Sequence, residues 1–176
     1  MLSLNSNNEY RDRVYVALYG PSDPLCKKSP ESFQWAFHVS PKTAPHGSFQ
    51  TARYQLKKRV SLKSDGTEKI HWNSEQEFGL DAGPDDLVVE VQIGGIKATR
   101  YEFEECLRED PTFNDRVWMQ QALLNMAREN VLTKTSILSW EVIEKTVINY
   151  YVEQLEQGTR GTASMPFDLM PFAIAT

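Results

Sequence analysis

The chain has little cysteine and no concentration of positive charge. Its 176 residues include two cysteines, Cys26 and Cys106. That is too few for a secreted disulfide scaffold, and neither a CxxC pair nor a Cys/His metal spacing occurs, so no metal site is expected. With 19 Lys and Arg against 24 Asp and Glu, the formal net charge is −5. No basic block is present, which argues against a nucleic-acid partner, because neutralising phosphates takes a cationic stripe. The most basic run, Lys57-Lys58-Arg59, reads as a solvated edge strand. No apolar run approaches the ~20 residues that span a bilayer. Residues Met1 to Arg13 lack the apolar segment of a signal peptide. Gly94-Gly95 lacks the following helix and the spacing of a phosphate loop, so no nucleotide or other cofactor is expected. These exclusions predict a cytoplasmic protein in a reducing setting, with free thiols.

What is there is ordinary globular composition, 40% hydrophobic and 24% charged, in a chain long enough for one well-buried domain. Residues 1–12 are polar and Ser/Asn-rich and read as disordered. Period-two alternation predicts strands over 13–19, 33–39 and 87–93, while 49–62 reads as a long β-prone stretch and 68–78 as its return strand. Ser64-Asp65-Gly66-Thr67 reads as the hairpin turn joining 49–62 to 68–78. In 33–39, Phe33, Trp35, Phe37 and Val39 form a core face, while Gln34, Ala36 and His38 point the other way. From Thr99 the period becomes helical. A helix of roughly three turns is expected to end at Pro111. A second runs from near Asn114 to about Val131, with Met119, Ala122, Leu123, Met126 and Ala127 inward. A third follows Ser139, a plausible N-cap, with Trp140, Ile143, Val147, Ile148, Tyr151 and Leu155 inward. Strands before helices predict an α+β domain over 13–161, a mostly antiparallel sheet of about five strands covered by three helices. Residues 162–176 form an apolar, proline-interrupted tail that should dock over a groove or onto a partner.

Three side chains are candidates for chemistry. Asp115 lies in the first turn of the second helix, where unpaired N–H groups and the helix dipole favour an anion by about 0.3–1 kcal/mol. It reads either as a plain first-turn acid or as a carboxylate aimed into a cleft. Gln34 and His38 share a strand face. His38 reads either as a histidine held by a backbone carbonyl or as a catalytic base. Cys106 falls on an apolar helix face and reads as inert, whereas Cys26, beside Lys27 and Lys28, is the more reactive thiol. His46 and His71 have no evident partner.

Four short motifs carry a resemblance. Gln34-Trp35-Ala36 is similar to His-Trp-Ala, and Gly95-Ile96-Lys97 to a Gly-Lys turn. Asn114-Asp115-Arg116-Val117-Trp118 is similar to Asn-Cys-Gln-x-Trp opening a helix, and Gly158-Thr159-Arg160 to a closing Gly-Arg. Over residues 13–161 the chain thus resembles a family of small fungal proteins of unknown function. That family in turn resembles the permuted NlpC-type papain-like fold, in which a strand histidine activates a cysteine at a helix N-terminus. Here the histidine position is Gln34 and the cysteine position is Asp115. Thiolate chemistry needs both a thiol and a base, so cysteine-peptidase activity is not expected.

The resemblance leaves a degenerate cleft. The expectation is that it binds a small, largely apolar molecule. Asp115, His38 and Gln34 would be catalytic, and Trp35, Trp118, Arg116, Met119, Phe167 and Phe172 would contact the substrate. A non-covalent, cofactor-independent isomerisation, cyclisation or pericyclic step suits such a site, because orientation alone lowers barriers by several kcal/mol. Fungal secondary metabolism is the setting that the resemblance implies. Two alternatives stand beside it. One is a catalytically dead domain that binds a protein partner, or a second copy, through its C-terminal tail. The other is a thiol hydrolase or transferase using Cys26.

Overall fold

The computed structural model describes residues 12–20, 33–41, 51–79, 87–108, 114–133, 136, 138–157 and 164–165. Five strands come first: β1 (Arg13–Tyr19), β2 (Gln34–Ser40), β3 (Ala52–Leu62), β4 (Glu68–Phe78) and β5 (Leu87–Gly95). Three helices follow, α1 (Arg100–Glu105), α2 (Asp115–Arg128) and α3 (Trp140–Gln157), and then a two-residue strand, β6 (Ser164–Met165). The sheet order is β4-β3-β2-β1-β5-β6. The first five strands run antiparallel to their neighbours, and β6 is parallel to β5. This is the α+β class expected from strands preceding helices. Of the expected tail 162–176, Ser164 and Met165 pair with Glu90 and Val91. Phe167 and Phe172 lie outside the described residues, as do Cys26, His46 and residues 1–11.

Alternation sorts the sheet into two faces. Val16, Leu18, Trp35, Phe37, Val39, Leu56, Val89 and Val91 join Phe103, Trp118, Met119, Met126, Ile143 and Val147 in one core. The helices therefore cover this face. Phe37 is wholly buried and meets Phe103 and Trp118 edge-on, with ring centroids 6.4 and 5.7 Å away. Burying a phenylalanine in this way stabilises by about 1.5–3 kcal/mol. The opposite face holds a second, smaller apolar cluster of Ala17, Tyr19, Ala36 and Leu87.

Several local expectations are corrected. Helix α1 ends at Glu105, far short of three turns. Cys106, Leu107 and Arg108 each donate an N–H three residues back, to Phe103, Glu104 and Glu105, which tightens the last turn. The freed carbonyls find partners on α2: Trp118 Nε1 donates to Leu107 at 3.1 Å and Asn125 Nδ2 to Cys106 at 3.4 Å. Trp118 and Asn125 are therefore buried where Ala127 was expected inward, and Ala127 is exposed. Thr99 and Glu102 form a reciprocal capping box at the start of α1.

The run Lys57-Lys58-Arg59 lies beyond the β2 pairing, which ends at Gln55, so among the described residues β3 has a neighbour on one side only there. That neighbour is β4, the edge of the sheet. Lys57 reaches Glu75 (2.9 Å) and Glu77 (3.2 Å), and Arg59 reaches Glu75 (2.6 Å). Because β2 pairs with β3 only between Ala52 and Gln55, the far half of the β3–β4 hairpin stands out from the sheet as a two-stranded ribbon. Its turn has Gly66 at φ +81°, the left-handed conformation that the Asp-Gly signal predicts, with Asp65 accepting from the Thr67 N–H. At the end of β5, Gly94 is needed for packing, since a Cβ there would run into the Ser136 side chain.

Candidate functional site

The first candidate lies at the start of β2. Its pairing with β3 ends at Ala36 and Gln55. Just beyond, two side chains replace the missing ladder. Asp115 Oδ2 accepts the Trp35 N–H at 2.9 Å, and Gln34 Nε2 donates to the Leu56 carbonyl at 2.8 Å. Asp115 sits there because Asn114 caps α2, its side chain accepting from Val117 N–H, which leaves the next residue in the first turn against the strand. Its other oxygen accepts the Arg116 N–H at 2.9 Å. Burial pushes the Asp115 carboxyl above its ordinary value, against the lowering pull of the Trp35 and Arg116 N–H groups and the Arg116 charge.

The neighbours expected to touch a substrate are packed into the protein. Trp35, Trp118 and Met119 are buried core residues. The Arg116 guanidinium lies 5.6 Å from the Trp35 ring centre and 3.4 Å from Glu144, so it joins β2, α2 and α3. The structure thus brings Asp115, Trp35 and Arg116 together in contacts that hold α2 to the sheet, while Gln34 ties β2 to β3. It does not bring His38 to them. Asp115 reaches β2 from the helix-covered side, whereas His38 points from the opposite face, four residues and roughly 13 Å along the strand from Gln34.

His38 has a different partner. Its Nδ1 lies 2.7 Å from Glu90 Oε2. The two residues belong to strands on either side of β1: His38 is opposite Tyr15, and Glu90 is opposite Ala17. Ala17 contributes only a methyl group, so nothing on β1 stands between them. A carboxylate oxygen only accepts, so with Glu90 ionised Nδ1 carries the ring hydrogen and Nε2 of the neutral imidazole presents a lone pair. That Nε2 is buried and has no hydrogen-bond partner among the described residues. The His38 residue is 9% exposed, and the Tyr15 ring stands 5.8 Å from the imidazole.

Around this dyad the face is closely packed: Ala36 and Ala17 are paired neighbours and wholly buried, with the buried Tyr19 and Leu87 beside them. Gln55 is opposite Ala36 on the far side, and its Oε1 is also buried without a partner. A buried acceptor left unpaired costs on the order of 1–3 kcal/mol, so two of them on one face call for a ligand or water between them. A carboxylate-held imidazole can take a proton at Nε2 and return it, with Glu90 stabilising the imidazolium.

The sequence offered no route to Glu90, Tyr15 or Gln55 as site residues. Each was visible as the polar or small side of a predicted strand, but their meeting depends on β1 lying between β2 and β5. A second polar cluster gathers on Tyr54, whose Oη donates to Glu104 and accepts from Arg100 and Gln76, with Arg100 Nη2 buried and unpaired among the described residues. Burial pushes the Tyr54 pKa up to about 12. The Cys106 thiol is buried and pushed up by that burial, as expected of an inert thiol. Among the described residues, no three His, Cys, Asp or Glu side chains gather as metal ligands, and no helix is long and apolar enough to cross a membrane.

No curated protein and no solved structure matches the chain. One family model does match, over residues 11–174, which takes in every strand and helix described above together with both the Asp115 and the His38 contacts. The chain therefore belongs to that family, a family of unknown function, DUF6914.

Proposed function

We propose that the protein binds a small, largely apolar molecule on the sheet face opposite the helices, and that His38 moves a proton in a non-covalent, cofactor-independent step. An isomerisation or cyclisation fits. The proton leaves a C–H or O–H of the ligand for Nε2 and returns to another atom of the same ligand, so nothing else is consumed. The observation that carries this reading is the pairing of His38 Nδ1 with Glu90 while Nε2 stays buried and unpartnered. Apolar surroundings from Tyr15, Ala17, Ala36 and Leu87 favour a ligand of the same character. His38 thus takes the acid/base role, and Asp115 and Gln34 hold the frame. The cytoplasmic setting and the link to secondary metabolism remain part of this proposal.

The test is a thermal-shift screen of small aromatic and alicyclic compounds against the full chain, repeated with His38→Gln and Glu90→Gln. Compounds that stabilise the wild type should lose at least tenfold in affinity in both variants. The reading fails if no compound stabilises the protein, or if every hit binds both variants unchanged.

A second reading draws on a different observation. Gln34 and Asp115, at the positions resembling a papain-like base and nucleophile, both bind backbone groups. That favours a papain-like scaffold whose original cleft is catalytically dead and whose work is protein binding. Under this reading the His38 and Glu90 variants leave function intact, and deleting residues 162–176 lowers affinity for a partner.

A further inference from the structure

We infer that β4 is a homodimerisation edge, on which a second copy of the chain adds its own β4 antiparallel about a two-fold axis through Asn73. Strand β4 is eleven residues long and ends the sheet, with no strand beyond it among the described residues. An edge of that length presents a row of unpaired N–H and C=O groups, which proteins either blunt or use. Here the side chains favour use by a copy of the same strand.

Centred on Asn73, antiparallel self-pairing sets Lys69 of one copy opposite Glu77 of the other, and His71 opposite Glu75. The two-fold axis repeats both pairs. No like charges meet: Glu68 falls opposite Phe78, Ile70 opposite Gln76, and Trp72 opposite Ser74. Moving the centre to Trp72 or to Ser74 leaves one such complementary pair in each half. Slipping the register by one residue, so that the axis falls between two residues, turns each strand's core face toward the partner's charged face. Glu75 and Glu77 already face Lys57, Arg59 and Arg53 on β3. In the pair, each glutamate would lie between a cation of its own β3 and Lys69 or His71 of the other copy.

The other side of the ribbon fits the same occupant. Val60 and Ile70 are a cross-strand pair, 54% and 51% exposed, and Leu62 is 74% exposed beyond them. They extend the helix-covered face of the sheet past the last helix. Pairing about Asn73 keeps equivalent faces on the same side of the joined sheet and sets Ile70 opposite Gln76 and diagonal to Phe78 of the other copy, itself 57% exposed. Directly opposed residues of an antiparallel pair have Cα atoms about 4.5–5.5 Å apart, within the span of a disulfide.

The test uses the full chain with Cys26→Ser to remove background thiol. Sedimentation equilibrium should give a concentration-dependent dimer. Adding Asn73→Cys should give a covalent dimer under mild oxidation. Lys69→Cys should not, because its two copies would be roughly 26 Å apart. Lys69→Glu should raise the dimer Kd about tenfold, since the like-charge pair it creates occurs twice, and Lys69→Glu with Glu77→Lys should restore it. A monomer at every concentration overturns the proposal and leaves the edge for a foreign strand. A dimer that Lys69→Glu does not weaken, or that Lys69→Cys cross-links as readily as Asn73→Cys, overturns it in favour of another surface.

Discussion

The two ends of β2 use polar side chains in opposite ways. At the start, Gln34 and Asp115 stand in for lost sheet hydrogen bonds, and the atoms of theirs described above end on backbone groups. Toward the other end, His38 is fixed at one nitrogen by Glu90 and left unsatisfied at the other. A polar group that completes the backbone ladder contributes to stability. A polar group held in place but incomplete lowers stability and keeps binding capacity. The difference separates the residues that hold this fold from those that can act on a ligand.

The comparison is broken most directly at Asp115. Asp115→Ala leaves the Trp35 N–H without an acceptor and should cost about 1–3 kcal/mol in urea unfolding, while any ligand of the His38 face still binds. Loss of binding without loss of stability would reverse the assignment of the two ends. Gln34→Ala, which removes a neutral hydrogen bond to the Leu56 carbonyl, should cost about 1 kcal/mol by the same measurement.

The other end should respond differently. Replacing the whole dyad with His38→Phe and Glu90→Leu should leave stability within about 1 kcal/mol of wild type, or raise it, because replacing both partners of a buried polar pair by apolar groups of similar shape is nearly neutral. Ligand binding should be abolished in the same protein. A loss of several kcal/mol would instead make the dyad a structural bolt.

The smallest expected effect is a pH dependence with a defined sign. Burial raises the Asp115 carboxyl above its ordinary 3.8. Below that value the group is protonated in both states. Above it the unfolded chain ionises first, so stability from this group is lost as pH rises through the raised value. Urea midpoints of wild type relative to Asp115→Asn should therefore fall from acid toward neutral pH and then level off. The β3–β4 ribbon has the opposite sign. Glu77 is held low mainly by its bond to Arg53, and Glu75 by its bond to Lys57. Their contribution is present above the ordinary carboxylate value and is lost as pH falls through the lowered ones. The Asp115→Asn difference cancels this background.

Much of the fold was legible because its signals are local. Alternation placed β1, β2 and β5, β-propensity and the Asp65-Gly66 turn placed the β3–β4 hairpin, and Ile143, Val147 and Tyr151 of α3 were read inward at helical spacing. Helix α1 was read too long because its stop is set by α2, whose Trp118 and Asn125 take the carbonyls that a further turn would use. The Lys57 run was legible as a solvated strand because its charges are local, whereas its glutamate partners on β4 were not. Strand β6 was missed because two residues carry no periodicity.

The candidate site was half legible for the same reason. His38 and Gln34 were correctly given one strand face, and Asp115 its place in the first turn of α2. Which of them meet was decided by strand order and by the side from which α2 approaches. Local pattern by itself determined the α+β class, the hairpin and the core face of β2, because those follow from a residue's nearest neighbours along the chain. Tertiary structure alone decided that Asp115 closes a gap in the sheet, and that Glu90, 52 residues away in sequence, holds His38. Both contacts join segments whose separation no local pattern encodes.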